Sequence, residues 1–280
     1  MQSRQLLFYT GATKFFHNYI PLYFLFGALA NPGASFEFLV RDIPRMQALH
    51  GQSLDRIASV FDCVYYLHDV ATRACRKTPL MENSYRFLLQ PLLKTEYVYI
   101  GDIDILLTEN ILARHQAYVG SQLPFYNQIC PGPKRLTGLH LARYDDMYPL
   151  EEGLWDYCKL KDEEILYKDY ELRGRLFSEG LDALQVKLGR PNCGVHMSPN
   201  RLPFSVDLEV PGWGINADYL RKMMSYLSRE PMRSIVELMY VGSRRVLTNL
   251  VTISLGLEAM SESDQLLYGL SGGRFGGNSK

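Results

Sequence analysis

Asp102 and Asp104 stand one residue apart at the end of an apolar run, Tyr97-Val98-Tyr99-Ile100-Gly101. A run without polar alternation reads as a strand covered on both faces, as in a parallel sheet. Open α/β sheets bind their ligands outside the carboxyl ends of the strands, so this strand would carry two carboxylates to a crevice. If the pairing ends near Gly101, the backbone can turn there and bring both to one site. Hard oxygen donors suit Mg²⁺ or Mn²⁺, and such an ion would bridge a diphosphate and stabilise it as a leaving group. The same tripeptide also occurs as a solvated loop after a strand. The buried strand in front of it is what favours a site.

The segments before this strand alternate in kind. Leu6 to Thr10 reads as a strand that ends at Gly11, and Asn18 to Leu29 as a helix that stops at Asn31-Pro32-Gly33. Phe36 to Val40 and Cys63 to Leu67 read as strands, with Leu49 to Ser59 helical between them. Met81 to Leu93 has helical period and leads into the acidic strand. Repeated strand–helix–strand order predicts an α/β domain with a mainly parallel sheet flanked by helices. From Asn216 the texture changes to helical stretches, Ala217 to Ser228, Ser234 to Tyr240 and Arg244 to Leu255. The expected division is a catalytic domain over 1–214, a helical C-terminal extension over 215–262 and a flexible tail over 263–280.

Bulk composition narrows the function classes. The 280 residues carry 30 basic and 30 acidic side chains, so no global field attracts nucleic acid, and no nucleic-acid partner is expected. Hydrophobic residues make up 47%, enough for a substantial core. The five cysteines, Cys63, Cys75, Cys130, Cys158 and Cys193, form no CxxC pair and are odd in number. They read as reduced thiols of a cytoplasmic protein. Met1 to Gln5 do not open a signal peptide. The most apolar stretch, Phe15 to Ala30, holds His17, Asn18 and Pro21 and is short for a membrane span, so it reads as a buried helix.

Beyond the acidic pair, ordered short motifs between Leu6 and Phe204 resemble the retaining glycosyltransferases of GT-A fold (the nucleotide-diphospho-sugar transferase fold), in particular glycosyltransferase family 8. Arg86-Phe87-Leu88-Leu89-Gln90-Pro91-Leu92-Leu93 looks like the family's helix before the metal strand, and the resemblance gives Arg86 the donor sugar and phosphates. Leu136-Thr137-Gly138-Leu139 resembles the family's Asn-Ala-Gly-Val strand, which assigns Thr137 and Gly138 to the sugar pocket. His140, two residues past that glycine, faces either the cleft or the core. Asp162-Glu163-Glu164-Ile165-Leu166-Tyr167 looks like the family's Asp-Gln-Asp-Ile-Leu-Asn, which reaches the reacting carbon. Glu163 stands where the family has Gln, and a carboxylate there would stabilise a developing oxocarbenium centre or attack it. An acidic, solvated helix start is the plainer reading of the same three residues.

His196, Pro203 and Phe204 match the spacing of the family's His-x-x-Gly-x-x-Lys-Pro-Trp element, with Pro199 and Leu202 in place of Gly and Lys. The resemblance makes His196 the third ligand of a metal held by Asp102 and Asp104, and Arg201, one position early, a phosphate contact. Phe8-Tyr9-Thr10-Gly11 occupies the place of the nucleotide-binding first strand, so that Tyr9 would stack on a base and Thr10 and Gly11 would approach the ribose.

The function implied is transfer of a hexose from a nucleoside diphosphate sugar, UDP-sugar foremost, to a hydroxyl of a glycan or lipid-linked acceptor, with Mn²⁺ or Mg²⁺ and with retention. Lipopolysaccharide or capsule-type glycan assembly is the setting. Arg221, Lys222, Arg229, Arg233, Arg244 and Arg245 lie among apolar residues of the C-terminal helices. That pattern suits a peripheral contact at the inner face of the membrane, and equally helices that cover the sheet or form a homodimer contact. Two other readings stay open. A non-catalytic sugar-nucleotide or glycan-binding protein of the same fold would explain Leu136, Glu163 and Leu202. A haloacid-dehalogenase-type phosphohydrolase also keeps its nucleophile in a DxD, but normally with Thr or Val where Leu106 stands, and at the first strand.

Overall fold

In the computed structural model, the described residues are 4–12, 14–70, 84–107, 109–130, 132–176, 194–196 and 225–255. The strands in chain order are β1 (Leu6–Gly11), β2 (Ser35–Val40), β3 (Val64–Asp69), β4 (Tyr97–Ile100), β5 (Ile105–Leu107), β6 (Phe125–Tyr126), β7 (Ile129–Cys130), β8 (Arg135–Leu136), β9 (His140–Arg143) and β10 (Gly194–His196). Six of them form one sheet in the order β3-β2-β1-β4-β9-β6. β3, β2, β1 and β4 run parallel, and β9 is antiparallel to both β4 and β6. The chain steps outward from β1 to β2 and β3, then returns to add β4 on the other side of β1. The direction of winding therefore reverses between β1 and β4, and a crevice opens beyond their carboxyl ends.

The apolar runs become doubly covered strands. Leu6, Phe8, Tyr97 and Tyr99 belong to a core on one face, while Leu7, Tyr9, Val98 and Ile100 belong to the core on the other. The first face is covered by helices α1 (Ile20–Ala30) and α2 (Ile43–Phe61). The opposite core takes side chains from the single turn α3 (Tyr85–Leu88) and, downstream, from the longer α7 (Asp162–Leu172). Single-turn helices α4 (Ile111–Arg114), α5 (Gln116–Val119) and α6 (Tyr144–Met147) join the strands between them. The C-terminal helices α8 (Met232–Leu238) and α9 (Val241–Leu255) send Met232, Ile235, Val236, Leu247 and Leu250 into the α1–α2 core.

Most expected elements are present with shifted ends. α1 follows a 3-10 segment, Lys14–Tyr19, and is buried over most of its length, as expected of the apolar stretch. Among the described residues no helix is long and apolar enough to cross a membrane. α2 starts six residues before Leu49, because the Asp42 side chain accepts the Arg45 N–H at 2.9 Å and Pro44 suits a first helical turn. The largest correction falls on Met81 to Leu93. Its described part is helical only from Tyr85 to Leu88, and Leu89 is already extended. Pro91 has no N–H for a helix and biases the preceding residue toward extended backbone. Residues 81–83, most of Ala217 to Ser228 and the whole 263–280 tail lie outside the described residues. Cys63, Cys130 and Cys158 are free thiols; Cys75 and Cys193 lie outside.

Candidate functional site

β4 leaves the sheet through Gly101. A Cβ at this position would lie 2.8 Å from the Tyr99 ring, so glycine lets the backbone fold back over that side chain. The Gly101 carbonyl accepts from Thr10 Oγ1 at 2.8 Å and from Arg86 Nη1 at 2.8 Å. Three elements, the end of β1, α3 and the exit of β4, are thereby tied at one point beside the reversal in strand order. The next residues make a turn closed by the Ile105 N–H on the Asp102 carbonyl at 3.0 Å. Asp102 and Asp104 are both on this turn.

Arg86 organises the charges around it. It is 1% exposed, yet it carries a full guanidinium into the protein. Nη1 lies 2.6 Å from Asp102 Oδ1, and Nη2 lies 3.1 Å from Asp162 Oδ2, 76 residues further along the chain. Burial works to lower its pKa, but the two carboxylates outweigh it, with Asp102 the stronger, and the pKa is raised. The group is a fixed cation with two anions aligned on it. Its Nε is buried and makes no hydrogen bond among the described residues.

Asp162 and Glu163 open α7, where carboxylates meet the positive end of the helix dipole. Asp162 Oδ1 accepts the Glu163 N–H at 3.0 Å, which leaves Oδ2 for Arg86. Glu163 is half-buried and lies 3.3 Å from Arg135 Nη1. Burial and then the Asp162 charge push its pKa up, and Arg135 offsets part of the rise. Gly138 sits against the centre of the cluster. A Cβ there would come within 3.1 Å of Arg86 Nη2 and 3.3 Å of Asp102 Oδ2.

Arg86, Asp102, Asp162, Glu163 and Gly138 therefore meet at one place, with Thr10 beneath them. Asp104 is near enough to help raise the pKa of Arg86, and the Tyr19 hydroxyl is pushed up to about 12 by burial first and by the Asp104 charge second. Thr137 borders the cluster, but its Oγ1 donates to Asn127 Oδ1 at 2.6 Å, and Asn127 also bonds its N–H and carbonyl. Gly11 is buried at the end of β1.

Two expected contacts lie in the core instead. Tyr9 is fully buried and donates its hydroxyl to the Leu89 carbonyl at 3.0 Å, because strand alternation turns it to the α3 face. His140 is also fully buried, with Nδ1 3.1 Å from Asn127 Nδ2 and Nε2 3.0 Å from the Tyr170 hydroxyl. Burial pushes its pKa down to about 3, so it is neutral, and of the two orientations open to it in the sequence it takes the core.

The two carboxylates on the turn are of the donor type that a divalent ion takes. Asp102 and Asp104 offer hard oxygens, and the Asp102 side chain is 32% exposed toward the crevice mouth. Strand β10 pairs antiparallel with β5, which sets the His196 backbone opposite Ile105, next to Asp104 in sequence. The His196 side chain and the whole of Arg201 lie outside the described residues. Among the described residues no three His, Cys, Asp or Glu side chains gather as a ligand set.

Several contributors carried little sequence signal. Asn127 shapes the Thr137–His140 turn from a position that no pattern marks. Arg135 reaches Glu163 only because β8 packs on α7. The buried Tyr23 hydroxyl has no hydrogen-bond partner among the described residues and lies 3.5 Å from where a Cβ on Gly101 would be. Glu37 was the detectable one, as a lone charge in the apolar strand Ser-Phe-Glu-Phe-Leu-Val.

No protein-family model matches the sequence, and comparison with curated proteins finds no match. Among solved structures the chain is similar to the apo-form glycosyltransferase GlyE of Streptococcus pneumoniae TIGR4, at 13% identity and a TM-score of 0.41 over 61% of this chain and 43% of that one. It is also similar to the galactosyltransferase LgtC in complex with donor and acceptor sugar analogues, at 11% identity and a TM-score of 0.37 over 66% of this chain and 70% of LgtC. Mouse xyloside xylosyltransferase 1 in its apo form shares 15% identity at a TM-score of 0.33, over 59% of this chain and 76% of that one. The chain thus spans less than half the length of GlyE.

Proposed function

We propose that this chain is a metal-dependent glycosyltransferase of the family 8 kind, moving a hexose from a nucleoside diphosphate sugar to a hydroxyl acceptor. The observation that supports it most is Arg86: a buried guanidinium at the reversal of strand order, bridging the acidic turn after β4 and the acidic start of α7. Three of the motifs that resemble the family, far apart in sequence, converge on this one side chain.

In this reading Asp102, Asp104 and His196 hold Mn²⁺ or Mg²⁺, and the ion when bound supplies positive charge to the departing diphosphate. The protein's own residues do the rest. Arg86 fixes the relative position of the Asp102 turn and of Asp162. Thr10 and Gly11 end β1 beneath the donor end of the crevice, where Thr10 holds the Gly101 carbonyl, and Arg201 adds charge to the phosphates. Gly138 lets the donor sugar approach without a side chain in the way, and Thr137 borders the same pocket. Asp162 and Glu163 face the anomeric carbon, where carboxylates stabilise the positive charge that develops as the glycosidic bond lengthens. The raised pKa of Glu163 marks a carboxyl that gains when such a charge appears beside it. Retention of configuration and a UDP donor complete the reading, and both rest on the family resemblance.

The acceptor is a glycan or lipid-linked sugar, of the lipopolysaccharide or capsule type, met by a cytoplasmic enzyme at the inner face of the membrane. Exposed Tyr226, Leu238, Tyr240 and Val241 beside Arg229, Arg233 and Arg245 support a peripheral contact there or a homodimer contact.

Calorimetric titration with UDP, GDP, CDP and ADP, with and without Mn²⁺, tests the donor site in the wild type and in Asp104→Ala. One nucleotide should bind tightly, and only with both the ion and Asp104. Absence of metal-dependent binding to any of the four, in folded protein, would refute the proposal.

A further inference from the structure

α3 is one turn long, and at its end the Leu89 N–H donates to the Tyr85 carbonyl at 2.9 Å. A helix this short has no stability of its own, because nucleation fixes several residues for one hydrogen bond. Among the described residues, the position of Arg86 is set by the packing of Tyr85, Phe87 and Leu88 in the core and by what holds the chain on its downstream side. That segment, 89–93, is gripped along its length. Tyr9 donates to the Leu89 carbonyl at 3.0 Å, and the Tyr144 hydroxyl donates to the Pro91 carbonyl at 3.2 Å.

The strongest grip is Glu37. It is fully buried in β2, and the register sets it beside Tyr9 on the sheet face that carries α3. Its carboxylate accepts the Leu92 N–H at 2.9 and 3.0 Å and the Leu93 N–H at 2.9 Å, while His68 Nδ1 lies 2.7 Å from Oε1. Bonds from N–H groups to a buried carboxylate are stronger than neutral ones, and a charge at this depth is retained only when it is well satisfied. Among the described residues, the side-chain hydrogen bonds that Glu37 accepts come from the 89–93 segment and from the histidine that steadies it.

We propose that Glu37 is a positioning residue for Arg86: it anchors the 92–93 backbone and so sets the place of α3, from which the guanidinium reaches Gly101, Asp102 and Asp162. This deepens the glycosyltransferase reading and rests on it for the role of Arg86, while the positioning itself is a property of the free protein. The effect travels through backbone, so it reaches the site without Glu37 touching any ligand.

The test uses Glu37→Gln, which keeps the shape and removes the charge, with Glu37→Asp as a second variant should the first fail to fold. Ile57→Val, under the opposite face, controls for general loss of stability. Arginine Nε–H exchange is followed by NMR in the free protein, with the Arg86 signal assigned by its loss in Arg86→Lys. Glu37→Gln should speed Arg86 Nε–H exchange at least about tenfold, with a smaller gain in Glu37→Asp and none in Ile57→Val. In parallel, the nucleoside diphosphate that wild type binds with Mn²⁺ is titrated into Glu37→Gln, Arg86→Lys and the double variant. Affinity should fall about tenfold in Glu37→Gln and no further when that change is added to Arg86→Lys. Unchanged Arg86 exchange in a Glu37 variant whose melting temperature has dropped would overturn the proposal, as would losses that multiply in the double variant. Wild type that binds no nucleotide would refute the donor-site reading instead, and the exchange measurement would still decide the role of Glu37.

Discussion

Gly138→Ala tests the site with one carbon atom. The new Cβ would stand 3.1 Å from Arg86 Nη2 and 3.3 Å from Asp102 Oδ2, and the φ of Gly138 is outside the left-handed region, so all of the cost comes from these contacts. Comfortable separations are roughly 3.5 Å or more, which leaves an overlap of about half an ångström with the nearer atom. Arg86 has little room to yield, because the Gly101 carbonyl and Asp162 fix its two ends at 2.8 and 3.1 Å and it is buried. Asp102 is the softer neighbour, with a third of its side chain exposed, so it should swing outward and stretch the 2.6 Å ion pair. Overpacking and a weakened charge-assisted bond together should cost about 1–2 kcal/mol, a fall in melting temperature of roughly 3–6 °C. Activity should suffer more than stability. A displacement of up to an ångström at a reacting centre can cost about 100-fold in rate, so donor hydrolysis or transfer should fall 10- to 100-fold. The assay pairs a thermal melt with Mn²⁺-dependent turnover of the donor whose nucleotide the calorimetric titration identifies. Gly51→Ala is the control: it lies in α2 with nothing within 4 Å of its Cβ, and should stabilise by about 0.5–1 kcal/mol with unchanged turnover. A Gly138→Ala protein with wild-type melting temperature and turnover would refute the crowding argument.

Arg86→Lys should lower turnover about 100-fold or more, since an ammonium cannot bridge Asp102, Asp162 and the Gly101 carbonyl at once; steady-state kinetics beside a melt checks that folding survives. Thr10→Val removes one of the two donors to the Gly101 carbonyl and should cost about 1 kcal/mol by denaturant titration, because Arg86 Nη1 still satisfies that oxygen. Stability should fall on acidification through three histidines kept neutral by burial: His140 has its pKa pushed down to about 3, and His50 and His115 to about 4, from 6.5. The unfolded chain binds these protons first, so the stability they carry is complete above pH 6.5 and drains as pH falls toward 4 and then 3. Melts between pH 7 and pH 4 should show this, with a shallower slope in His140→Gln.

The parts of this fold that were legible in the sequence are those where one physical rule acts alone. Tyr97–Ile100 has no polar alternation, and it is a strand buried on both faces with the acidic pair at its end. The acidic start of α7 was legible for the same reason, since three carboxylates in a first turn agree with the helix dipole. Where two rules compete, the weaker cue misled. Helical period over 81–93 concealed the veto of Pro91, and the resemblance of the first strand to a nucleotide-binding strand concealed that its alternation turns Tyr9 inward.

What the sequence could not supply is the meeting of remote segments. Nothing local says that Asn127 will hold Thr137 or that Arg135 will reach Glu163; those contacts exist because β9 inserts antiparallel beside β4 and delivers the 127–138 hairpin to the mouth of the crevice. Glu37 is the instructive exception. A charge within an apolar parallel strand is costly unless it is satisfied, so its presence alone implied a set of donors waiting above the sheet. The donors turn out to be the backbone of the segment that follows Arg86. Reading a buried charge as a demand for partners, and asking what those partners carry, connects a residue of the sheet core to the one guanidinium on which the candidate site is built.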